Sequence, residues 1–368
     1  MTGPEPLQFV GANEVRWRGS RLVHFSGCDY FRLARHPQVA AAARESLAKN
    51  GLNVAASRRT TGNHEIYAAL EKALAGFFAV EAALLLPDGY LAPVAVAQAL
   101  ADEFTRVFVD EFAHGALLDA ARMFDCPVEK FPHRNAAALA KRMAKPGRNA
   151  RPVVLTDGMF SHDGSVAPLR EYLEVLPACG MMLVDDAHGI GVLGATGRGT
   201  LEHAGVGRSR IIQCATLSKA LGVYGGVVLG TRGLRDKIIA QSRAYIGTTP
   251  LPPPLAGAAL AALKILRREP QRRKRLFGNL RWVRAGLQAA GWEIAGTPGP
   301  MVRLPLMPAA RAGALKRALL AAGIYPPFLQ YGGASAQGVF RFVISSEHTR
   351  TQLDRLVSVL AAFRGRER

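Results

Sequence analysis

Two periods of apolar residues divide this chain. Short runs at 82–86, 106–109, 152–156, 181–184, 210–215 and 226–229 are dense in Val, Leu and Ile and too brief for helices. Between several of them, 91–100, 117–124 and 136–143 carry apolar residues at helical spacing. Upstream, 37–49 is alanine-rich and reads as a helix, 51–63 is polar and irregular, and 65–78 repeats Ile66, Leu70, Leu74 and Phe77 on one helical face. Apolar strands separated by helices predict an α/β architecture, a largely parallel sheet covered on both faces. Ligands of such sheets sit beyond the carboxyl ends of the strands.

The pattern changes at both ends. Residues 1–35 read as an arm with short extended pieces such as 21–25. The proline-dense run 247–254 predicts a stiff connector. Beyond it come a long helical region to about 290, short strands near 301–304 and 339–344, and a last helix from 349, a smaller α+β domain. The expected division is an arm over 1–35, a large domain over 36–250 and a small domain over 251–368. There is no internal repeat and no low-complexity tract.

Composition narrows the classes. A length of 368 residues suits one large domain and a smaller one, and 49% hydrophobic with 20% charged residues describes an ordinary globular chain. No apolar run approaches the roughly 20 residues that span a bilayer. The start of the chain lacks the basic and apolar regions of a signal peptide. Cys28, Cys126, Cys179 and Cys214 lie far apart without CxxC spacing, which argues against a zinc site or a disulfide framework and predicts a cytoplasmic location. The net charge of +19, part of it from 267–275, attracts anions: nucleic acid, an acidic carrier protein or a phosphorylated cosubstrate. A solvated helix face is the plainer reading of the same charges.

Candidate chemistry gathers where strands end. Lys219 follows the run 211–215 and precedes a glycine turn; a lysine there can hold pyridoxal phosphate as a Schiff base, or can be a surface residue. Asp185 ends the run 181–184 and suits the cofactor's ring nitrogen, although strand-end aspartates also cap turns or bind metals. His188, three residues on, can bond the phenolic oxygen or serve its own loop. Gly89, between a strand and a helix, lets the backbone approach a phosphate. His114 can stack on the pyridine face or cap the helix behind it. Ser161, in the polar loop 157–164, can reach the ring or its oxygen. Each signal is modest alone; their order along successive strands makes them specific together.

These residues, with Asp29-Tyr30, Thr61-Gly62, Leu70-Glu71, the loop 158–164, the run 185–194, Gly197-Arg198-Gly199, the run 216–222 and Pro252-Pro253, resemble the α-oxoamine synthase family of fold-type I pyridoxal-phosphate enzymes. The similarity extends from about Phe25 to the C-terminus. It implies a large domain with a mostly parallel seven-stranded sheet, a smaller C-terminal α+β domain and a homodimer with shared active sites. Lys219 resembles the Schiff-base lysine that also moves the Cα proton, Asp185 the pyridinium partner, His188 and Ser161 the ligands of the phenolic oxygen, and His114 the stacking ring. Gly89, Tyr90 and Thr216 resemble phosphate contacts, with Thr248 or Thr249 reaching the neighbouring subunit's phosphate. Arg341, seven residues before His348, resembles the guanidinium that holds the amino-acid carboxylate.

The implied reaction is condensation of a small amino acid with an acyl-CoA or acyl-carrier-protein thioester, with decarboxylation in most members, giving an α-amino ketone. No metal is implied. An aminotransferase or aldolase reaction on the same fold is the alternative, and a degenerate, basic nucleic-acid binder a third, which the intact lysine, aspartate and histidine set disfavours. The chain departs from the family at three places. Cys28 stands where an asparagine is usual, and a thiol cannot supply that side chain's two amide hydrogens. Tyr67 replaces a histidine, beside an unusual segment at 57–64. The N-terminal helix associated with acyl-chain recognition is missing or very short.

Overall fold

A computed structural model describes residues 5–144, 150–330 and 338–365. It forms two compact units. One comprises residues 36–161 and 165–269; the other comprises the described parts of 1–35 and 270–368 together with 162–164.

The larger unit is built on seven strands: β1 (Ala82–Leu86), β2 (Arg106–Asp110), β3 (Val128–Phe131), β4 (Pro152–Asp157), β5 (Met181–Asp185), β6 (Ile211–Thr216) and β7 (Gly226–Gly230). Their order is β1-β7-β6-β5-β4-β2-β3. From β6 to β3 all neighbours are parallel, while β7 runs antiparallel to both β6 and β1. The apolar runs alternate faces with the strand period of two. Val107, Val109, Val153, Leu155, Leu183, Ile212 and Cys214 join one buried cluster; Phe108, Val154, Met182, Val184 and Ile211 join the other. Burial on both faces explains why these strands read as continuous apolar runs.

Six of the seven strands match the apolar runs of the sequence to within a residue or so. The seventh, β3, reads Val-Glu-Lys-Phe, with only Phe131 buried. It lies at the sheet's edge, where charged residues are favoured, so hydrophobicity does not reveal it. Helices Leu91–Ala99, Gly115–Ala121 and Ala136–Met143 fall between the strands, and Glu65–Phe78 is capped by His64, whose Nδ1 accepts the Ile66 N–H at 3.2 Å.

The break between units differs from the expected one after residue 250. Proline fits the first helical turn, and helix Pro253–Arg268 begins within the supposed connector. It packs on helix Pro37–Asn50 of the larger unit, where Ser46 Oγ donates to the Pro253 carbonyl at 2.8 Å. Gly257 makes the approach possible, since a Cβ there would lie 2.6 Å from Ser46 Cβ.

In the second unit the N-terminal segment is part of a sheet. Strands Gln8–Phe9, Glu14–Trp17 and Ser20–His24 run antiparallel, and Ile324–Tyr325 adds in parallel beside Ser20–His24. A three-stranded antiparallel sheet of Met301–Arg303, Val339–Val343 and Phe328–Leu329 shares its core with helices Gln271–Ala289, Ala309–Ala321 and Arg350–Gly365.

Candidate active site

Three parallel strands of the larger unit end in aspartates: Asp110 on β2, Asp157 on β4 and Asp185 on β5, all buried. Asp157 and Asp185 lie side by side in the ladder, and the Gly158 N–H donates to the Asp185 carbonyl at 2.7 Å. Asp185 Oδ1 accepts the Ala187 N–H at 3.0 Å. Burial pushes the Asp185 carboxyl up, opposed by Lys219, the Ala187 N–H and His114. Asp157 is pushed well above the usual range, by burial first and by the Asp185 charge second.

His114 belongs to the same cluster. Its ring Nδ1 accepts the Ala116 N–H at 3.3 Å, so it caps helix Gly115–Ala121, and its own N–H donates to Asp157 Oδ2 at 2.8 Å. Burial lowers its pKa; Asp185 opposes this and Lys219 reinforces it. With Nδ1 accepting, the neutral ring carries its proton on Nε2. The helix cap, one of the two roles open in the sequence, is thus made, and it leaves Nε2 of the ring unengaged by the cap.

Lys219 is half-buried in the loop between β6 and β7. Both ends of this loop are held. The Leu217 N–H donates to the Gly225 carbonyl at 2.8 Å, and Thr216 Oγ1 donates to the same carbonyl at 3.0 Å while accepting the Ser218 N–H at 3.1 Å. Gly89 abuts this corner: a Cβ there would fall 2.6 Å from Thr216 Cβ. The nearby helix Leu91–Ala99 has one amide occupied, because Asp88 Oδ1 accepts the Leu91 N–H at 2.9 Å. Tyr90 is partly exposed; its hydroxyl donates to Asp119, and its ring meets His114 edge-on with centroids 6.1 Å apart.

The turn after Asp185 carries buried His188 and is organised by Asp186. Asp186 Oδ2 accepts from the Thr200 N–H at 2.7 Å and Gln213 Nε2 at 2.6 Å, and Oδ1 accepts from the Thr200 hydroxyl. Glycines close around this carboxylate. A Cβ on Gly189 or Gly199 would lie 1.9 or 2.0 Å from its oxygens. Burial raises the Asp186 pKa to about 7 despite those hydrogen bonds.

Ser161 is half-buried at the end of a narrow loop after β4, held at its base by Phe160 N–H to Ser165 carbonyl (2.8 Å) and Ala167 N–H to Gly158 carbonyl (3.0 Å). Thr248 donates its hydroxyl to the Ala244 carbonyl at 2.7 Å, and Thr249 is exposed. Arg341 lies in the second unit, on strand Val339–Val343 between buried Phe340 and Phe342. There it influences the buried Tyr30 phenol, which also bonds the Cys28 thiol; burial is the chief reason that phenol's pKa is raised. Cys28 and Arg341 therefore share one corner of that unit.

The departures at 57–64 and Tyr67 meet as well. The Arg58 guanidinium lies 5.2 Å from the Tyr67 ring centroid and 5.6 Å from that of Tyr245, and forms a two-pronged pair with Glu71. The segment is thus locked by contacts that glycines could not make.

Asp157 is the site residue that the sequence reading passed over. Its signal was a carboxylate at the end of an apolar run, the same one that singled out Asp185. Among the described residues, no group of three or more His, Cys, Asp or Glu side chains is placed to hold a metal.

The chain is similar to known proteins in sequence and in fold. The family model for aminotransferase class I and II matches residues 22–360. The 8-amino-7-oxononanoate synthase of Methylococcus capsulatus is 39% identical over 93% of this chain and 89% of its own. That of Thioalkalivibrio sulfidiphilus is 37% identical over 95% and 90%. Among solved structures, serine palmitoyltransferase from S. paucimobilis with a bound PLP–myriocin aldimine superposes with a TM-score of 0.91 at 28% identity, covering 98% of this chain and 91% of that one.

Proposed function

The chain belongs to the aminotransferase class I and II family, and from that premise we propose that it joins a small amino acid to an acyl thioester, giving an α-amino ketone with loss of the carboxylate. It is a pyridoxal-phosphate-dependent C-acyltransferase of the α-oxoamine synthase type. The observation that carries the reading is that buried Asp185, half-buried Lys219 and the more exposed His114 lie close enough at the carboxyl ends of β5, β6 and β2 to influence one another's charge.

The residues fit the cofactor. Asp185 is a buried carboxylate suited to a protonated ring nitrogen, and the close seat of Gly89 against Thr216 leaves backbone rather than side chain at the phosphate corner. When bound, pyridoxal phosphate supplies the electron sink that stabilises negative charge at the substrate's Cα.

The chain's own groups do the rest. Lys219 holds the cofactor and then takes and returns the Cα proton. Asp185 fixes the ring's protonation, His114 covers one face, and His188 and Ser161 hold the phenolic oxygen. Gly89, Tyr90 and Thr216 hold the phosphate, with Thr248 or Thr249 contributed by a second subunit, so a homodimer is part of the proposal. Arg341 takes the amino-acid carboxylate in a two-pronged grip. The acyl donor, CoA- or carrier-linked, is anionic, and the +19 charge favours its approach. A cytoplasmic location accords with four free cysteines. No described helix is long and apolar enough to cross a membrane.

The test is product analysis with glycine, alanine and serine against acyl-CoA and carrier-linked donors. Release of free thiol in step with an α-amino ketone is expected. A keto acid formed without thiol release would replace this reading with that of an aminotransferase.

A further inference from the structure

The larger unit contains a cavity of about 680 Å³ at the rim of the sheet opposite the candidate site. It opens where β5 and β6 begin, at Met181 and Ile211, whereas Asp185 and Lys219 lie at or beyond the other ends of these strands. Five or six residues at roughly 3.3 Å each put about 16–20 Å of sheet between the two places. The volume is in the usual range for small-molecule sites, roughly 300–1,000 Å³.

The wall of the cavity has two characters. Leu100, Phe104 and Ile212 belong to the buried core and Leu234 packs against it, so the floor is a direct opening onto apolar packing. Around it stand Arg151, Arg208, Glu81, Glu103 and Lys237. Lys237 and Glu103 neutralise one another as an ion pair. Glu81 is engaged by the Arg232 N–H at 3.3 Å.

Arg208 is different. Its guanidinium belongs to a half-buried residue of the cavity wall and has no ion-pair partner among the described residues. Burial lowers its pKa; Asp186 opposes this, while Arg198 adds to it. A half-buried guanidinium without a counter-ion is stabilised by an incoming anion.

We propose that this cavity is a second binding site, for an amphipathic carboxylate whose apolar body lies on the Leu100–Phe104–Leu234 floor and whose carboxyl group meets Arg208. Neither half suffices alone. A short polar anion leaves the floor wet, and an uncharged chain leaves Arg208 unpaired.

Octanoate is the probe, with acetate and octanol as controls, on the cofactor-loaded protein. Cys179 lines the same cavity and is exposed, so its alkylation rate, read by peptide mass spectrometry, reports occupancy there rather than at the reaction centre. Octanoate is expected to slow Cys179 modification at least fivefold, and acetate and octanol to leave it unchanged. Arg208→Gln removes the charge and Leu234→Trp fills the floor; each should weaken octanoate binding tenfold or more by calorimetry. Arg208→Gln, at a position that is only half-buried, decides the matter if the tryptophan is not accommodated. Unchanged Cys179 reactivity with octanoate, or undiminished binding to Arg208→Gln, overturns the proposal.

Discussion

Asp186 offers the most quantitative test of how the turn after β5 is held together. Its pKa rises from 3.8 to about 7, chiefly through burial. Between those values the folded protein keeps a proton that the unfolded chain has released. Stability contributed by this group therefore falls as pH rises from about 4 to about 7, and is level above that. At about 1.4 kcal/mol per pH unit, a rise of about three units amounts to ~4 kcal/mol.

Asp186→Asn isolates the effect. The asparagine oxygen can replace Oδ2 in accepting from the Thr200 N–H and Gln213 Nε2. Its amide group then faces the Thr200 hydroxyl, which can turn to accept. The variant mimics the protonated aspartate and has nothing to titrate. Urea unfolding of both proteins at pH 4.5, 5.5, 6.5 and 7.5 should show the variant gaining on the wild type by about 1.4 kcal/mol per pH unit, then levelling near pH 7. A difference that stays constant over this range, or that shrinks, would refute the reasoning, because the buried carboxylate would then ionise as it does in water.

Three further outcomes are expected. Lys219→Ala should keep the fold, yet borohydride treatment should no longer attach cofactor mass to that peptide, and condensation should fall by about a thousandfold or more, as is typical when a covalent catalyst is lost. Asp157→Asn should retain most activity while Asp185→Asn should not, since Asp157 sits beside a charged partner and is pushed towards its protonated form; comparable losses in the two variants would contradict that assignment. Gly89→Ala places a Cβ 2.6 Å from Thr216 Cβ, and should lower thermal stability by an amount equivalent to about 1–3 kcal/mol, with weaker cofactor retention on gel filtration.

The sheet was legible because strands buried on both faces are apolar without interruption, and Val107, Leu155 and Leu183 needed no context to be read. β3 was not, because an edge strand with exposed Val128 and Lys130 has no such constraint. The division into units was misplaced for a related reason. A proline run marks both a connector and a helix start, and only packing of Pro253–Arg268 on Pro37–Asn50 separates the two. At the candidate site, Lys219, Asp185 and His114 were proposed from their places after strands. Asp157 was hidden because an acid opening a polar loop looks the same whether it caps a turn or is buried beside a second carboxylate. Arg208 had no local signal at all, since the cavity it lines is assembled from segments between Ala79 and Lys237.

The reversed strand β7 has a consequence for how the site fails. Thr216 and Gly226 are opposite one another in an antiparallel ladder, so Lys219 sits on a nine-residue loop clamped at both ends by the middle of the sheet. The Leu217 and Val223 amides bond within that loop, to Gly225 and Leu217. A lysine on a free surface loop could swing out through a local opening at little cost. Here the loop's ends are tied to β6 and β7, so amide exchange at Leu217 is expected to follow the opening of those strands. If Lys219 is the reactive group proposed above, activity and sheet integrity are expected to be lost together.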